Sequence, residues 1–401
     1  MKAGWTQRKI DDICDFRGGG TPSKANENYW RGEIPWVSPK DMKSDVITDS
    51  IDHISANAIE ESTTNLIPSG SVLVVVRSGI LARTVPVAIT GREVAINQDI
   101  KALCPDKSVD SWFLFYFLKS RLEEMLALAS RGATVHRIMA DQIRAMEIPV
   151  PPLPEQQRIV GVLDEAFASL ATAQAHAAQN LQNARALFES HLNAIFTQRG
   201  KGWVEKTMEE VAASDCSLSY GIVQPGEEVE DGLPVVRPTD LTRTKIGLDG
   251  LKRIDPKLAE SYQRTSLQGG ELLLCVRGST GVISMAAPEL KGANVTRGIV
   301  PIRLNSMLLS QDFGFHLLRA EPVQTQIRAK TYGAALMQIN IGDLRKIVVA
   351  VPALNEQRAI ATQLDALAAE TQRLTRIYEQ KLAALAELKK SLLHQAFSGE
   401  L

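Results

Sequence analysis

The side chains in this 401-residue chain that could do specific chemistry are hydrogen-bonding groups in predicted loops and strand ends, with no catalytic constellation among them. Arginine and lysine carry donors that match the two-acceptor edge of guanine, while asparagine and glutamine match the donor-acceptor edge of adenine. In the first part of the chain the candidates are Arg17, Lys24, Lys40, Arg77, Asn97, Gln98 and Arg137, joined by Thr21, Ser38, Ser78 and His136. In the second part they are Arg237, Arg277, Arg297, Gln338 and Asn340, with Thr239 and Ser279. Singly these are weak signals, because every protein has polar loops; a solvated loop histidine is the plain alternative for His136.

Little else is reactive. There is no G-x-x-x-x-G-K-[ST] loop for ATP, no strand-linked G-x-G-x-x-G for a nucleotide or S-adenosylmethionine, no G-x-S-x-G and no H-E-x-x-H. Gly18-Gly-Gly20 precedes Thr-Pro rather than a helix start and reads as a turn, not a phosphate cradle. Asp41-Met-Lys43 and Asp255-Pro-Lys257 share the acidic-x-Lys pattern of some nucleases, but no upstream Pro-Asp lies in register. Cys14, Cys104, Cys216 and Cys275 are scattered singly, so they are expected as buried thiols rather than zinc ligands or disulfides. Catalysis and metal binding on this chain are not expected.

Net charge is −1, and both halves are balanced: 18 Lys+Arg against 19 Asp+Glu over residues 1–150, and 18 against 17 over residues 201–350. A nucleic-acid partner would therefore require cations clustered on one face, or a further subunit to supply them. The first residues, Met1-Lys-Ala-Gly-Trp-Thr, lack the apolar core of a signal peptide, and no apolar run is long enough to span a bilayer, so a cytoplasmic location without membrane contact is expected.

The elements that must position the candidates are organised around a long segment that occurs twice, from Glu155 to Thr197 and from Glu356 to Ser398, at a constant offset of 201. Each copy opens on a proline-rich run ending in Leu-x-Glu-Gln. Apolar residues recur at steps of three and four, which predicts helices with a coiled-coil seam. The seam comprises Ile159, Leu163, Leu170 and Leu187 in the first copy and Ile360, Leu364, Leu367, Leu374, Leu385, Leu388 and Leu392 in the second. Roughly 43 residues at about 1.5 Å each give a rod of about 65 Å. A seam that long needs a partner, and the obvious partner is the other copy.

Residues 1–150 precede the first rod and residues 201–350 the second, with rods over 151–200 and 351–401. The two mixed segments share a plan. Leu233-Pro-Val-Val-Arg-Pro-Thr-Asp-Leu241 answers Ile34-Pro-Trp-Val-Ser-Pro-Lys-Asp-Met42, and Gly270 to Arg277 answers Gly70 to Arg77. Helices are predicted from Asp110 to Arg131, capped by Gly132, and from Asp312 to Lys330. The copies agree at apolar, Gly and Pro positions and differ in loops such as Thr134–Ile138 against Ala335–Ile339. A common frame with unlike loops suits modules that read different things; neutral drift after duplication is the alternative. The fold class is α+β, with two similar mixed domains, two long helices and an internal pseudo-twofold repeat.

On these residues, above all Pro152-Leu-Pro-Glu-Gln-Gln-Arg-Ile159, Pro352-Ala-Leu-Asn-Glu-Gln-Arg358 and the closing Phe397-Ser-Gly-Glu-Leu401, the whole chain resembles the specificity subunit of type I restriction-modification systems. The resemblance implies a non-catalytic subunit with two target recognition domains, each reading one half of a split, asymmetric site on double-stranded DNA through the major groove. It implies that the rods pack antiparallel, space the domains and dock two modification (methyltransferase) subunits, to which two restriction subunits can add. S-adenosylmethionine, ATP and Mg2+ would then belong to those partners, with no cofactor on this chain. A duplicated coiled-coil scaffold that bridges proteins without meeting DNA is the competing expectation, which the near-neutral charge suits.

Overall fold

The computed structural model describes residues 4–130, 135–333 and 336–401. The expected helix end at Arg131, its cap at Gly132, and the loop positions Thr134 and Ala335 lie outside the described residues. The chain forms two compact units that do not follow the sequence segments. The first holds residues 1–177 with 380–401, and the second holds residues 178–379. Each unit thus combines one mixed domain, the front of the rod that follows it and the tail of the other rod.

In the first unit a five-stranded sheet runs in the order Cys14–Gly18, Ile100–Pro105, Val72–Val75, Val87–Thr90 and Val46–Ile47. Its centre is Val72–Val75, four consecutive buried residues, as expected for a strand covered on both faces. A second sheet orders Asp52–Ile54, Ile34–Val37, Val94–Ile96 and Leu66–Ile67, with Ile34–Val37 and Val94–Ile96 parallel. Thr6–Lys9 pairs antiparallel with Glu147–Val150 and so ties the start of the domain to the strand that leads into the rod.

The second unit repeats this plan. Lys245–Ile246, Ile283–Ala286, Leu272–Cys275 and Ile299–Ile302 form one sheet, and Lys252–Ile254, Leu233–Val236 and Asn294–Val295 the other. Val204–Thr207 pairs with Val348–Val351 as the equivalent tie. The four thiols are unpaired, and burial, with Asp106 nearby, pushes Cys14 up to about 12, which keeps it an unreactive thiol.

The helices predicted to run unbroken from Asp110 and from Asp312 are each interrupted. In the first unit Ser111–Ser120 begins at Asp110, whose carboxylate accepts from the Trp112 and Phe113 amides, and the chain turns at Arg121 before Leu122–Ala127. In the second, Gln311–Arg319 stops at Ala320 and Glu321–Ala329 begins anew. Pro322 explains that break: it cannot donate to a preceding turn but suits the start of a new helix.

The rods span Leu153–Gln198 and Leu354–Ser398, 46 and 45 residues. In the first unit Arg158 donates to the Leu401 carbonyl, and the Lys389 ammonium sits over the Phe167 ring. In the second unit Arg185 pairs with Glu379 at 2.7 Å, and His191 meets Gln363. As numbering rises along the first helix it falls along the second, so within each unit the rod segments are antiparallel.

Ile159, Leu163, Leu170 and Leu364 are buried, and Ile360, Leu367, Leu374, Leu385 and Leu392 are half-buried. Leu187 and Leu388 depart from the expected seam: they are 48% and 47% exposed. Near the end of each rod the buried positions are instead Phe188, Leu192 and Phe196, and Leu393, Ala396 and Phe397. These rod ends pack on a domain core rather than only on another helix. The stripe there keeps the 3.6-residue period of a straight helix, and a strict heptad drifts away from it.

The joint between domain and rod differs chemically in the two units. In the first, the Tyr116 hydroxyl donates to Asp164; burial first, and then that carboxylate, push the phenol's pKa up. At the matching place in the second, His316 is only 2% exposed, with Nε2 2.7 Å from Asp365 Oδ1 and Nδ1 buried without a partner. Burial lowers the His316 pKa, opposed by Asp365. Below its ordinary pKa, near 6.5, an unfolded chain takes up a proton that the folded imidazole resists. The stability this joint contributes above that pH is therefore lost as pH falls through the lowered folded value. His316→Tyr, which installs the first unit's chemistry, is expected to flatten the fall in denaturation midpoint between pH 7 and pH 5. Parallel pH profiles of the variant and the parent would remove His316 as the cause.

Candidate nucleic-acid interface

In the first unit the buried central strand passes through Val76 into Arg77–Ser78, which pairs antiparallel with His136–Arg137. The register sets Arg77 opposite Arg137 and Ser78 opposite His136. Two guanidinium groups at facing positions repel. The carboxylate paired with Arg77 is Asp99, at 3.9 Å, and the Arg77 side chain is about half exposed. Such a ladder end has an unmet need for an anionic or acceptor group.

Other candidates in this unit are committed elsewhere. Asn97 is buried, and its amide closes a turn, donating to the Asp99 carboxylate while its oxygen accepts from the Asp99 N–H. Ser38 is buried too, and its N–H and hydroxyl both donate to Asp41, which also accepts from the Ile51 amide. Both side chains are buried and close turns in this structure rather than facing outward. Gln98 is exposed and accepts from the Thr21 hydroxyl at 2.6 Å. Arg17 pairs with Asp15 at 2.9 Å, Lys40 pairs with Asp52 at 2.7 Å, and exposed Lys24 borders a separate depression with Trp30 and Arg31.

The nuclease-like triplets dissolve on the same geometry. Asp41 holds its turn, and Asp255 caps a short helix by accepting from the Lys257 N–H. The triple glycine is explained by crowding: a Cβ on Gly19 would fall 1.9 Å from the Ile96 carbonyl oxygen, so only glycine lets this loop lie flat on the neighbouring strand. Gly221 stands in the same relation to the Val295 oxygen.

In the second unit the matching strand ends at Cys275, and Arg277 bridges to Gln338 as Arg77 does to Arg137. Here the candidates converge. Arg237, Thr239, Arg277, Ser279 and Arg297 line one cavity of about 570 Å3. Arg237 is held by Asp240 through Nη2 at 2.8 Å and Nε at 3.1 Å, and the Arg297 guanidinium lies 5.9 Å from the Tyr220 ring centre. Gly298 is required in the wall, because a Cβ there would meet Pro238 Cγ at 2.3 Å. Gln338 and Asn340 are not in the cavity lining; the Tyr332 hydroxyl accepts from Gln338 and donates to Asn340.

The loop alternation alone did not reveal Asp240, Tyr220 or Tyr332. Asp240 had a signal, the aspartate three residues after Arg237 where a turn is capped; the tyrosines had none. Among the described residues no group of His, Cys, Asp and Glu is placed to hold a metal ion, and no helix is long and apolar enough to cross a membrane.

Comparison with known proteins follows the same duplication. The family model for the type I restriction modification DNA specificity domain matches twice, over residues 2–180 and 201–383. The EcoR124I/EcoR124II specificity subunit of Escherichia coli is 38% identical over 160 residues, 39% of this chain and 40% of that one. The EcoBI specificity subunit of Escherichia coli is 24% identical over 312 residues, 72% of this chain and 65% of that one. The match thus spans between two-fifths and two-thirds of those relatives' own length. A chain solved in work on complex assembly and conformational transition of the type I R-M system shares the fold, with a TM-score of 0.79 at 18% identity over all of this chain and 99% of that one. With two copies of the model covering most of its length, this chain belongs to the family of type I restriction-modification DNA specificity domains.

Proposed function

We propose that this chain is the non-catalytic DNA-specificity subunit of a type I restriction-modification enzyme, each domain reading one half of a bipartite, asymmetric duplex site. The observation that carries the reading is the arginine at the same strand end in both units, Arg77 and Arg277, each bridged to a candidate reader, Arg137 or Gln338. Guanidinium groups fixed at the backbone but not fully satisfied at the side chain fit the acceptors of bases and phosphates. Arg137 against Gln338, and unlike loops around them, support different preferences in the two halves.

The near-neutral chain lacks the excess charge needed to hold DNA at physiological salt by itself. Two methyltransferase subunits, and restriction subunits added through them, would supply it. S-adenosylmethionine, ATP and Mg2+ would be bound by those partners, in the cytoplasm.

The test is a gel shift with duplexes bearing randomised bases, at low and high salt, with and without a co-expressed methyltransferase. A bipartite sequence enriched only when both subunits are present is expected. Stable assembly with the methyltransferase but no enrichment of any sequence would favour a protein-bridging scaffold instead.

A further inference from the structure

We infer that the half-site read by the second domain contains a guanine whose major-groove edge is contacted by Arg277 in the arginine-lined cavity. The inference rests on the DNA-specificity reading above and adds the base and the residue to it.

The cavity's chemistry is one-sided. Among the described residues three arginines line it, and no Asp or Glu does. Arg237 already gives two donors to Asp240, which fixes the plane of its remaining N–H groups, and Arg297 lies beside Tyr220. The Arg277 guanidinium has neither a hydrogen-bond nor an ion-pair partner among the described residues. Its backbone, by contrast, is held on both sides: Val276 N–H donates to the Gly298 carbonyl, Val276 C=O accepts from Ile339, and Gly278 N–H donates to Met337. A fixed base carrying an unsatisfied fork is how a bidentate contact is pre-organised.

Gln338 and Asn340, the amides that could read adenine, each give one group to the Tyr332 hydroxyl and lie outside the cavity lining, so the charged groups of the lining itself are the donors of its arginines. The ligand must therefore bring acceptors. Guanine offers two adjacent ones, N7 and O6, whereas phosphate offers its oxygens in a charged, strongly hydrated group. Val223 and Leu336 form an apolar part of the lining, which suits the flat face or methyl-bearing edge of base pairs better than a hydrated phosphate.

The experiment uses the full chain assembled with its co-expressed methyltransferase, and randomised duplexes as the probe. The second half-site is expected to contain a G·C pair. Arg277→Ala should make that one position degenerate, with discrimination there reduced on the order of tenfold or more, while the first half-site stays unchanged. Replacing that guanine by 7-deazaguanine, which removes N7 but keeps pairing, should weaken binding of the parent complex and leave Arg277→Ala unaffected. Arg277→Lys, which keeps the charge but not the fork, should lose the same discrimination.

A second half-site without a G·C pair overturns the inference and leaves the specificity reading intact. Uniform weakening of Arg277→Ala on all sequences, with no response to 7-deazaguanine, assigns Arg277 to a phosphate and also overturns it. Failure of the parent complex to enrich any sequence removes the underlying reading, and the inference with it.

Discussion

Phe397→Ala is expected to destabilise the first unit by about 3–5 kcal/mol, the range for deleting a large buried aromatic side chain. Phe397 is the penultimate residue of the second rod, yet it is 7% exposed and packs edge-on to Phe113 and Phe117, with ring centres 5.1 and 5.5 Å away. Those two rings sit in the helix Ser111–Ser120, which covers the domain's central strands, so the ring is part of the core and not a decoration of the rod. Phe196 has the same place in the second unit, against Phe313 and Trp203. Leu388, on the same helix and 47% exposed, is the internal control, with an expected change within about 0.5 kcal/mol. Denaturant unfolding gives the midpoints, and hydrogen exchange should show protection lost first over residues 390–398. Equal costs for Phe397→Ala and Leu388→Ala would mean that the rod end does not belong to the domain core.

The parts of this architecture legible in the sequence are those fixed by local periodicity. Apolar steps of three and four sustained over more than forty residues leave few alternatives to a long helix, and both rods appear within two residues of the expected ends. The strands Ile34–Val37, Val72–Val75, Leu233–Val236 and Leu272–Cys275 fall inside the expected runs. Sheet order was not legible, because it pairs residues far apart, such as Val46–Ile47 with Val87–Thr90, and nothing local encodes that choice. The site was half legible. Residue type suggested Arg77, Arg137, Arg237, Arg277 and Arg297, and long side chains at strand ends do point outward. Short ones do not have to: Asn97 and Ser38 turn back onto Asp99 and Asp41, two and three residues downstream. Those spacings are a turn signature that type-matching to base edges ignores.

The opening motif of each rod yields the other large effect. Gln156 is fully buried, donates from Nε2 to the carbonyls of Ser108 and Pro151 at 2.9 Å, and accepts the Asp110 N–H at 2.8 Å. Gln357 repeats this with Leu308, Pro352 and Ser310, all at 2.8 Å. The glutamine thus clamps the loop before the core helix to the proline that precedes the rod, satisfying three backbone groups around its fully buried amide. An orphaned buried backbone group costs about 1–3 kcal/mol. Gln156→Ala, which orphans three and leaves a void, is therefore expected to cost about 4 kcal/mol or more, against less than about 0.5 kcal/mol for exposed Gln157→Ala. Gln156→Glu separates the clamp from mere packing. A buried carboxylate facing two carbonyls is held protonated, with its pKa raised above the unfolded value, so its stability contribution is present at low pH and lost as pH rises through that raised value. The denaturation midpoint of Gln156→Glu should accordingly climb relative to the parent between pH 7 and pH 5. A pH-independent difference, or a Gln156→Ala cost no larger than that of Gln157→Ala, would show that the amide is not what joins rod to domain.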